Sequence, residues 1–262
     1  MGNRFDTQNR LIAATRRIII DEGVEATSLE HICKAAGFSR GAFYSNFASK
    51  DSLLAALAED EYAALIERLR RTVDRWAGTV SGDVSAGAPL PIDEAGSRAP
   101  DERRAEDGLL MESLLFEALD AIGVDADLYL LHSELQMRSI RDPEWATRFL
   151  DINLEFVDEL GRVLQWILEA AGRELVSPLR PLTHSVIGVV MRAAGIAAWR
   201  TKAVAVLGEG IDPHAPGGIV DRSERAETGP ASARDSAARE ILEVVLQILY
   251  ASSRPRDEDS IL

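Results

Sequence analysis

Between Ser39 and Lys50 the chain carries short polar and basic side chains of the kind that hydrogen-bond to nucleic acid. A guanidinium such as that of Arg40 can pair with a guanine edge, and amides and hydroxyls reach base edges or phosphates. Residues 31–50 contain no Asp or Glu, although the whole chain has a formal net charge of −14. An acidic remainder suppresses indiscriminate polyanion binding and leaves this local basic surface to approach phosphates.

The elements that must position these side chains are two short helices joined by a tight turn. Thr27 followed by Glu30 is typical of a capping box, which predicts a helix that starts at the residue after Thr27. Gly37 predicts the end of that helix, because glycine adopts the left-handed conformation at little steric cost. Ser39 and Ser49 are the expected N-caps of the next two helices. The arrangement predicts a helix-turn-helix.

The pattern T-S-L-x-x-I-x-x-A-A-G-F-S-x-G-x-F-Y-x-x-F-x-S-K-x-x-L, from Thr27 to Leu53, resembles the DNA-binding domain of the TetR family of transcriptional regulators. The resemblance is dense from the region of Leu11 to about Leu57. It implies an all-α homodimer, with an N-terminal three-helix helix-turn-helix domain and a larger C-terminal helical domain that dimerises and usually binds a small ligand.

The resemblance also implies which residues meet double-stranded DNA. The expected contacts are Thr27, Ser39, Arg40, Gly41, Tyr44, Ser45, Asn46 and Lys50. Of these, Thr27, Ser39, Tyr44 and Lys50 match family positions that hold phosphates. Asn46 stands where the family frequently has histidine, and Ser45 where it frequently has an aromatic residue, so the target sequence stays open. Because one helix-turn-helix reads few base pairs, a dimer on an inverted-repeat operator is expected.

The resemblance and the length of the chain imply a DNA-binding domain at 1–57, a helical ligand-binding and dimerisation domain at 58–253, and a tail at 254–262. One unbroken stripe from Leu54 to Trp76 predicts a long helix that links the two domains as a lever. Stretches rich in glycine, proline and charge predict flexible loops at about 77–104 and 208–232. The first could be a lid over a pocket or a disordered connector.

Aromatic periodicity suggests where a small, largely apolar ligand would enter the helical domain. The expected pocket residues are Tyr62, Leu65, Leu69, Phe149, Asn153 and Phe156. Asn153 is equally well explained as a hydrogen-bonded structural residue. His132 and His184 could each bond to a ligand, but a surface or satisfied histidine is the simpler interpretation.

Small residues between Pro181 and about Leu207 allow close helix approach, which suits a subunit interface. With the last helix, this segment resembles the family's two dimerisation helices. The interface is expected to include Gly188, Gly195, Leu242 and Leu249.

Enzymatic chemistry finds little support in the sequence. There is no Gly-rich phosphate loop, no G-x-S-x-G motif and no Cys/His cluster at zinc spacing, so we expect no catalytic residue, metal or cofactor. The single cysteine, Cys33, lies on an apolar helix face and predicts a core residue in preference to a redox sensor. No signal peptide is apparent, and Arg192 interrupts the most apolar run, so a soluble cytoplasmic protein is expected.

These observations predict a sequence-specific DNA-binding regulator, a repressor that a small apolar ligand releases from its operator. The alternative is a DNA-binding dimer that a protein partner controls, or that acts constitutively. An apolar cavity among the C-terminal helices would favour the ligand-controlled form, and a buried cluster of titratable groups would revive an enzymatic role.

Overall fold

The structure is a computed structural model that describes residues 4–81, 100–123, 125–207 and 230–256. Within these ranges the chain is helical apart from short turns and one pair of short strands, so the predicted all-α class is confirmed. In chain order the elements are α1 (Arg4–Glu22), a 3-10 helix (Val24–Ala26), α2 (Leu29–Ala36), α3 (Arg40–Tyr44), α4 (Lys50–Ser81), α5 (Pro100–Ile122), α6 (Ala126–Arg141), α7 (Pro143–Ala170), β1 (Arg173–Leu175), α8 (Leu179–Leu207), α9 (Pro230–Ala251) and β2 (Ser253–Pro255).

The chain divides into two compact units. The first unit comprises Met1–Leu65, Val124–Phe156 and Ala194–Val220, and the second comprises Ile66–Gly123, Val157–Ala193 and Asp221–Leu262. Helices α4, α7 and α8 each supply residues to both units. The domain boundary expected at residue 57 stays a prediction.

Apolar side chains from α1, α2, α3 and the start of α4 form a core in the first unit. They are Leu11, Ile18, Ile32, Cys33, Ala36, Phe43, Phe47 and Leu53. On α1 the buried residues recur at helical spacing and face one side, which is how an amphipathic helix covers a core. Cys33 is a buried free cysteine, so its expected place in the core is confirmed.

Helix α2 begins one residue later than the capping pattern predicts. Its N-cap is Ser28, whose side chain accepts the N–H of His31. Thr27 is fully buried and donates its hydroxyl to the Val24 carbonyl, so the prediction of Thr27 as N-cap is wrong. The preceding 3-10 helix turns this side chain inward. Gly37 ends α2 at a φ of 73°, which confirms the predicted left-handed C-cap.

The predicted caps of the next two helices are confirmed. The Ser39 hydroxyl accepts the N–H of Ala42 at 3.2 Å. The Ser49 hydroxyl accepts the N–H of Ser52 at 3.1 Å, and the Ser52 hydroxyl accepts the Ser49 N–H at 3.0 Å. Each bond satisfies a backbone donor that the first turn of a helix, or its N-cap, would otherwise leave unpaired.

The second unit has an aromatic and ionic interior of its own. The rings of Trp76 and Trp166 stack with centroids 5.1 Å apart, and Trp76 Nε1 donates to the Glu117 carboxylate at 2.9 Å. The buried carboxylate of Glu159 accepts Arg70 at 3.2 Å and lies 2.8 Å from Arg162. These partners explain how a carboxylate is held inside the unit, since an unpaired buried charge is costly.

Strands β1 and β2 pair in antiparallel register, with Glu174 opposite Arg254. The Arg173 guanidinium donates to the Ser253 carbonyl at 2.9 Å and lies 4.7 Å from the Tyr250 ring centroid. Residues 254 and 255 therefore belong to the folded second unit, which corrects the prediction that a solvated tail begins at Arg254. Residues 257–262 of the expected tail lie outside the described residues.

The expected loops are shorter than predicted. Helix α4 continues to Ser81 and α5 begins at Pro100, so residues 77–81 and 100–104 are helical. Likewise α9 begins at Pro230. Proline suits the first position of a helix because its missing N–H would be unpaired there anyway. The remaining parts of both expected loops, residues 82–99 and 208–229, lie outside the described residues.

The two glycines expected at a subunit interface have different surroundings. A Cβ on Gly188 would meet nothing within 4 Å, so this position is open. A Cβ on Gly195 would lie 2.7 Å from Cζ of Tyr129 in the same chain. Packing within the first unit therefore explains Gly195 without a partner subunit.

In the described part of the chain, one helix, Leu179–Trp199, is long and apolar enough to cross a membrane by length and composition alone. Core helices of globular proteins meet the same criterion. Leu182, Val186 and Val190 of this helix are buried, as they would be in a core helix.

Gly195→Ala should lower the free energy of unfolding by about 1–3 kcal/mol, because the added methyl group overpacks against Tyr129. Gly78→Ala is the control, because Gly78 is an exposed position of α4 where a Cβ would meet nothing within 4 Å, and it should be neutral or stabilise by up to roughly 1 kcal/mol, since alanine is the better helix former. Thermal and urea unfolding followed by circular dichroism would measure both. Equal behaviour of the two variants would contradict the contact.

Candidate functional site

The outward face of α3 and its flanks presents the polar residues expected to meet DNA. Ser39, Arg40, Gly41, Tyr44 and Ser45 are exposed. Below them, the Phe43 side chain of α3 is buried in the apolar core of the first unit. The short helix therefore separates a polar outer surface from an apolar inner one, as a helix that docks in a groove must do.

The orientation of the Tyr44 side chain is restricted by a contact with the buried Phe43. Its ring lies edge-on to that of Phe43, with centroids 5.5 Å apart, and 58% of the residue is exposed. The edge-to-face contact restricts the ring while leaving the hydroxyl free to reach a phosphate.

Arg40 meets an acidic neighbour that the sequence pattern placed elsewhere. Its Nη1 atom lies 3.2 Å from the Glu30 carboxylate, and both side chains are mostly exposed. Glu30 therefore contacts α3. The capping box predicted a bond from Glu30 back to the Thr27 N–H, and that prediction is wrong. A planar guanidinium has five N–H donors, so this contact leaves other donors free for a base edge.

Ser45 and Asn46 bond to the backbone of their own helix. The Ser45 hydroxyl donates to the Gly41 carbonyl at 2.9 Å, and Asn46 Nδ2 donates to the Ala42 carbonyl at 2.8 Å. The Oδ1 atom of Asn46 is buried without a hydrogen-bond partner. These two side chains must release or share their present bonds if they are to read bases.

Two predicted phosphate contacts have unequal support from the structure. Lys50 is partly exposed at the first position of α4. Thr27 has no exposed surface, and its hydroxyl is already used within the chain. The expected phosphate contact of Thr27 is therefore corrected: the neighbouring Ser28, which caps α2, is the exposed hydroxyl at this place.

The turn between α2 and α3 is braced by Arg10 from α1. Its Nη2 atom donates to the Ala36 carbonyl at 3.0 Å, and its guanidinium lies 4.6 Å from the Phe38 ring centroid. The bond satisfies a carbonyl that the end of α2 leaves unpaired. Sequence reasoning missed this role, because a single arginine on an amphipathic helix has no distinctive pattern.

Helix α6 is tied to the same DNA-binding elements by three side chains. Glu134 accepts the Val24 N–H of the 3-10 helix at 2.9 Å. Arg138 lies 2.6 Å from Asp51 in the first turn of α4. Asp127 lies 3.7 Å from Arg16 on α1. Nothing in the sequence predicted these contacts, since they join residues that are far apart in the chain.

Four of the expected pocket residues come together in one aromatic cluster of the first unit. The Tyr62 ring is edge-on to those of Phe149 and Phe156, with centroid distances of 5.9 and 5.7 Å. The Trp145 ring stacks on Phe149 at 5.9 Å. Asn153 Nδ2 donates to the Tyr62 hydroxyl at 3.3 Å. The other two expected residues, Leu65 and Leu69, are buried on α4.

A polar chain runs through this cluster. Besides Asn153, the Tyr62 hydroxyl bonds to Nδ1 of His132 on α6. Burial raises the pKa of Tyr62 to about 12, and the bond from Asn153 opposes that rise. Burial lowers the pKa of His132. Both side chains are thus uncharged at neutral pH. His184, the other candidate for a ligand contact, is exposed on α8.

Two residues expected at the subunit interface face the interior of the chain. Leu242 is 6% exposed and Leu249 has no exposed surface, so their assignment to an interface is corrected. Val244 and Tyr250, on the same helix, are at least two-fifths exposed. Periodicity identified the apolar residues of α9 but not which of them its own chain covers.

Residues 11–57 match the family described as bacterial regulatory proteins, tetR family. An uncharacterized HTH-type transcriptional regulator of Bacillus subtilis, YvdT, is 32% identical over 83 residues, which cover 32% of this chain and 39% of that protein. The match thus spans less than half of that relative's length. The resemblance of the N-terminal segment to the TetR family is confirmed, and its helix-turn-helix is a TetR-family DNA-binding domain.

Solved structures match the fold over nearly the whole chain. A transcriptional regulator from Rhodococcus sp. Rha1 has a TM-score of 0.54 at 15% identity, covering 92% of this chain and 96% of that one. The regulator FadR from Bacillus subtilis, in complex with stearoyl-CoA, has a TM-score of 0.52 at 14% identity, covering 93% and 98%. The predicted architecture, a helix-turn-helix domain followed by a larger helical part, is thereby confirmed.

Protonation of His132 should destabilise the folded chain. Because the folded-state pKa lies below the ordinary value of 6.5, the unfolded chain binds the proton first as the pH falls. The contribution of neutral His132 to the free energy of unfolding is fully present above pH 6.5 and is lost as the pH falls through the lowered folded-state pKa. His132→Gln should therefore show a shallower fall in melting temperature than the wild type on acidification below pH 6.5, in parallel thermal melts. Identical slopes would contradict this.

Proposed function

We propose that this chain, whose helix-turn-helix is that of the TetR family, is a sequence-specific DNA-binding transcriptional regulator that acts as a homodimer in the cytoplasm. The observation that carries the proposal is the exposed polar face of α3 above a fully apolar inner face, within the segment that matches the family. Helix α3 enters the major groove, and its exposed side chains face the bases and phosphates.

In the groove, Arg40 reads a guanine edge, while Ser45 and Asn46 touch bases or nearby phosphates. Ser39, Tyr44 and Lys50 hold phosphates and fix the register of the helix. Glu30 lies beside the Arg40 guanidinium and adds a negative charge at the edge of this surface. That charge disfavours unspecific phosphate contacts and leaves binding more dependent on the base that Arg40 meets.

Two copies of the chain are needed for a useful specificity ratio, because one five-residue recognition helix meets few base pairs. We infer that the exposed face of α8 around Gly188, together with the exposed side of α9, forms the two-fold interface. The open space at Gly188 supports this, since a residue without a side chain lets two helices approach closely. The operator is then an inverted repeat with both half-sites on one face of the duplex.

We further infer that the regulator is a repressor released by a small, largely apolar ligand at the aromatic cluster of Tyr62, Phe149 and Phe156. The cluster lies between α4 and α7 and touches α6 through His132. A ligand there shifts α4, the expected lever, and α6, which holds the DNA-binding elements through Glu134 and Arg138. Such a shift changes the spacing of the two recognition helices, which must match a groove repeat of roughly 34 Å.

Arg40→Ala should weaken operator binding by about 1–3 kcal/mol and relax the preference at one base pair, because a guanidinium pair to guanine is lost. Lys50→Ala should weaken all sequences alike and reduce the salt slope by about one, since it removes a single phosphate contact. Operators are first selected from random DNA, and affinities are then measured by fluorescence anisotropy at several salt concentrations.

Arg71→Ala supplies the control, because Arg71 is an exposed arginine of the second unit paired with Glu67 at 2.8 Å. It should leave specific and random binding unchanged. Equal losses on operator and random DNA for Arg40→Ala would rule out its role in base reading.

Gly188→Glu should separate the dimer and remove specific binding, because two carboxylates would be buried at the two-fold contact. Gly78→Glu is the matched control, since Gly78 is an exposed position of α4 where a Cβ also meets nothing within 4 Å. Sedimentation velocity at micromolar concentration should find the control dimeric and Gly188→Glu monomeric. A Gly188→Glu variant that stays dimeric would place the interface elsewhere.

A further inference from the structure

We propose that the aromatic cluster binds an uncharged, largely apolar molecule that carries a carbonyl group, and that the Nε2–H group of His132 donates to that carbonyl oxygen. The inference rests on the ligand-controlled form of the proposed function and names the chemical class of its ligand. It is carried by the direction and the surroundings of the polar chain from Asn153 through Tyr62 to His132.

The hydrogen bonds in this chain run one way. Asn153 presents its Nδ2 atom to the Tyr62 oxygen, and an amide nitrogen can only donate. The Tyr62 hydroxyl hydrogen is therefore directed to its other partner, Nδ1 of His132. A neutral imidazole whose Nδ1 accepts carries its hydrogen on Nε2. The chain thus ends on an N–H donor, and a group that binds there must be an acceptor.

The His132 end of this hydrogen-bond chain is open. In the described part of the structure, Nε2 of His132 makes no hydrogen bond. The buried side-chain atoms without a partner there are Asn46 Oδ1 and Arg138 Nε, so Nε2 of His132 is accessible. By contrast, Tyr62, Phe149 and Phe156 are each less than a tenth exposed. The donor therefore lies at an accessible edge of an otherwise buried aromatic cluster, where a ligand can reach it from outside.

The surroundings select against charge. The polar partners of Tyr62 are a neutral histidine and a neutral amide, and burial keeps the pKa of His132 low. A carboxylate placed here would lose its hydration without gaining an opposite charge, which is costly. A carbonyl oxygen loses less on burial and accepts one bond from Nε2–H. Apolar rings flank the donor, since the ring centroids of Tyr62 and Phe149 lie 6.1 and 6.2 Å from that of His132.

Three probes with the same phenyl and alkyl skeleton test the proposal: benzylacetone, a neutral ketone; n-butylbenzene, the hydrocarbon; and phenylbutyrate, the carboxylate. Binding to the full chain without DNA is measured by calorimetry at neutral pH. The ketone should bind about tenfold more tightly than the hydrocarbon, the effect of one hydrogen bond in a largely buried site, and more tightly still than the carboxylate.

His132→Phe should reduce the preference for the ketone over the hydrocarbon to about one, because the donor is lost while the ring remains. Tyr62 acts through His132 as a positioning residue, so Tyr62→Phe should reduce that ratio severalfold without a matching loss in hydrocarbon affinity. Tyr250→Phe, in the second unit, is the control and should leave the ratio unchanged. Circular dichroism and melting temperature verify that each variant is folded.

Equal affinity for ketone and hydrocarbon, a preference for the carboxylate, or no binding of any probe would each overturn the proposal. So would a selectivity ratio that survives both His132→Phe and Tyr62→Phe. Because no DNA is present, these outcomes are independent of operator binding. A chain that binds the ketone but no operator would sink the proposed regulatory function and leave the ligand class intact.

Discussion

The structure of the proposed DNA-binding surface depends on the burial of one aromatic side chain. Helix α3 has five residues, far too few for a helix to be stable in water by itself. Phe43 anchors it, with no exposed surface, in a core built from α1, α2 and the start of α4. The polar side chains on the outer face hold their positions only because this inner contact fixes the backbone beneath them.

Charged side chains from distant helices complete what this core leaves unsatisfied. Arg10 binds the carbonyl of Ala36 at the end of α2, and Glu134 binds the N–H of Val24 in the 3-10 helix. Hydrogen bonds to charged groups are stronger than neutral ones, so each fixes a turn that has few bonds of its own. Helix α6 thereby becomes part of the support of the DNA-binding elements, although it is remote in sequence.

The same helix carries His132, two residues before Glu134, into the aromatic cluster. One helix thus carries both the proposed ligand contact and the bond to the 3-10 helix beside the proposed DNA surface. Thermodynamic linkage makes the effect reciprocal: a ligand that weakens DNA binding must bind more weakly to the DNA-bound form. Less than one helical turn separates His132 from Glu134 on α6, so the proposed coupling passes through little backbone.

The sequence by itself determined the helix-turn-helix, the caps at Ser39 and Ser49, the left-handed Gly37 and the apolar helix faces that carry Tyr62, Phe149 and Phe156. These follow from local propensity and from periodicity, which act over one or two turns of helix.

Tertiary structure alone decided that Ser28, and not Thr27, caps α2, that Glu30 turns to Arg40, and that Gly195 fits against Tyr129. It also decided that Leu242 and Leu249 point inward. Each of these outcomes is set by a neighbour that is distant in sequence or by the path of the preceding turn. A pattern of residue types marks a side chain as apolar or polar, but only the folded packing selects its partner.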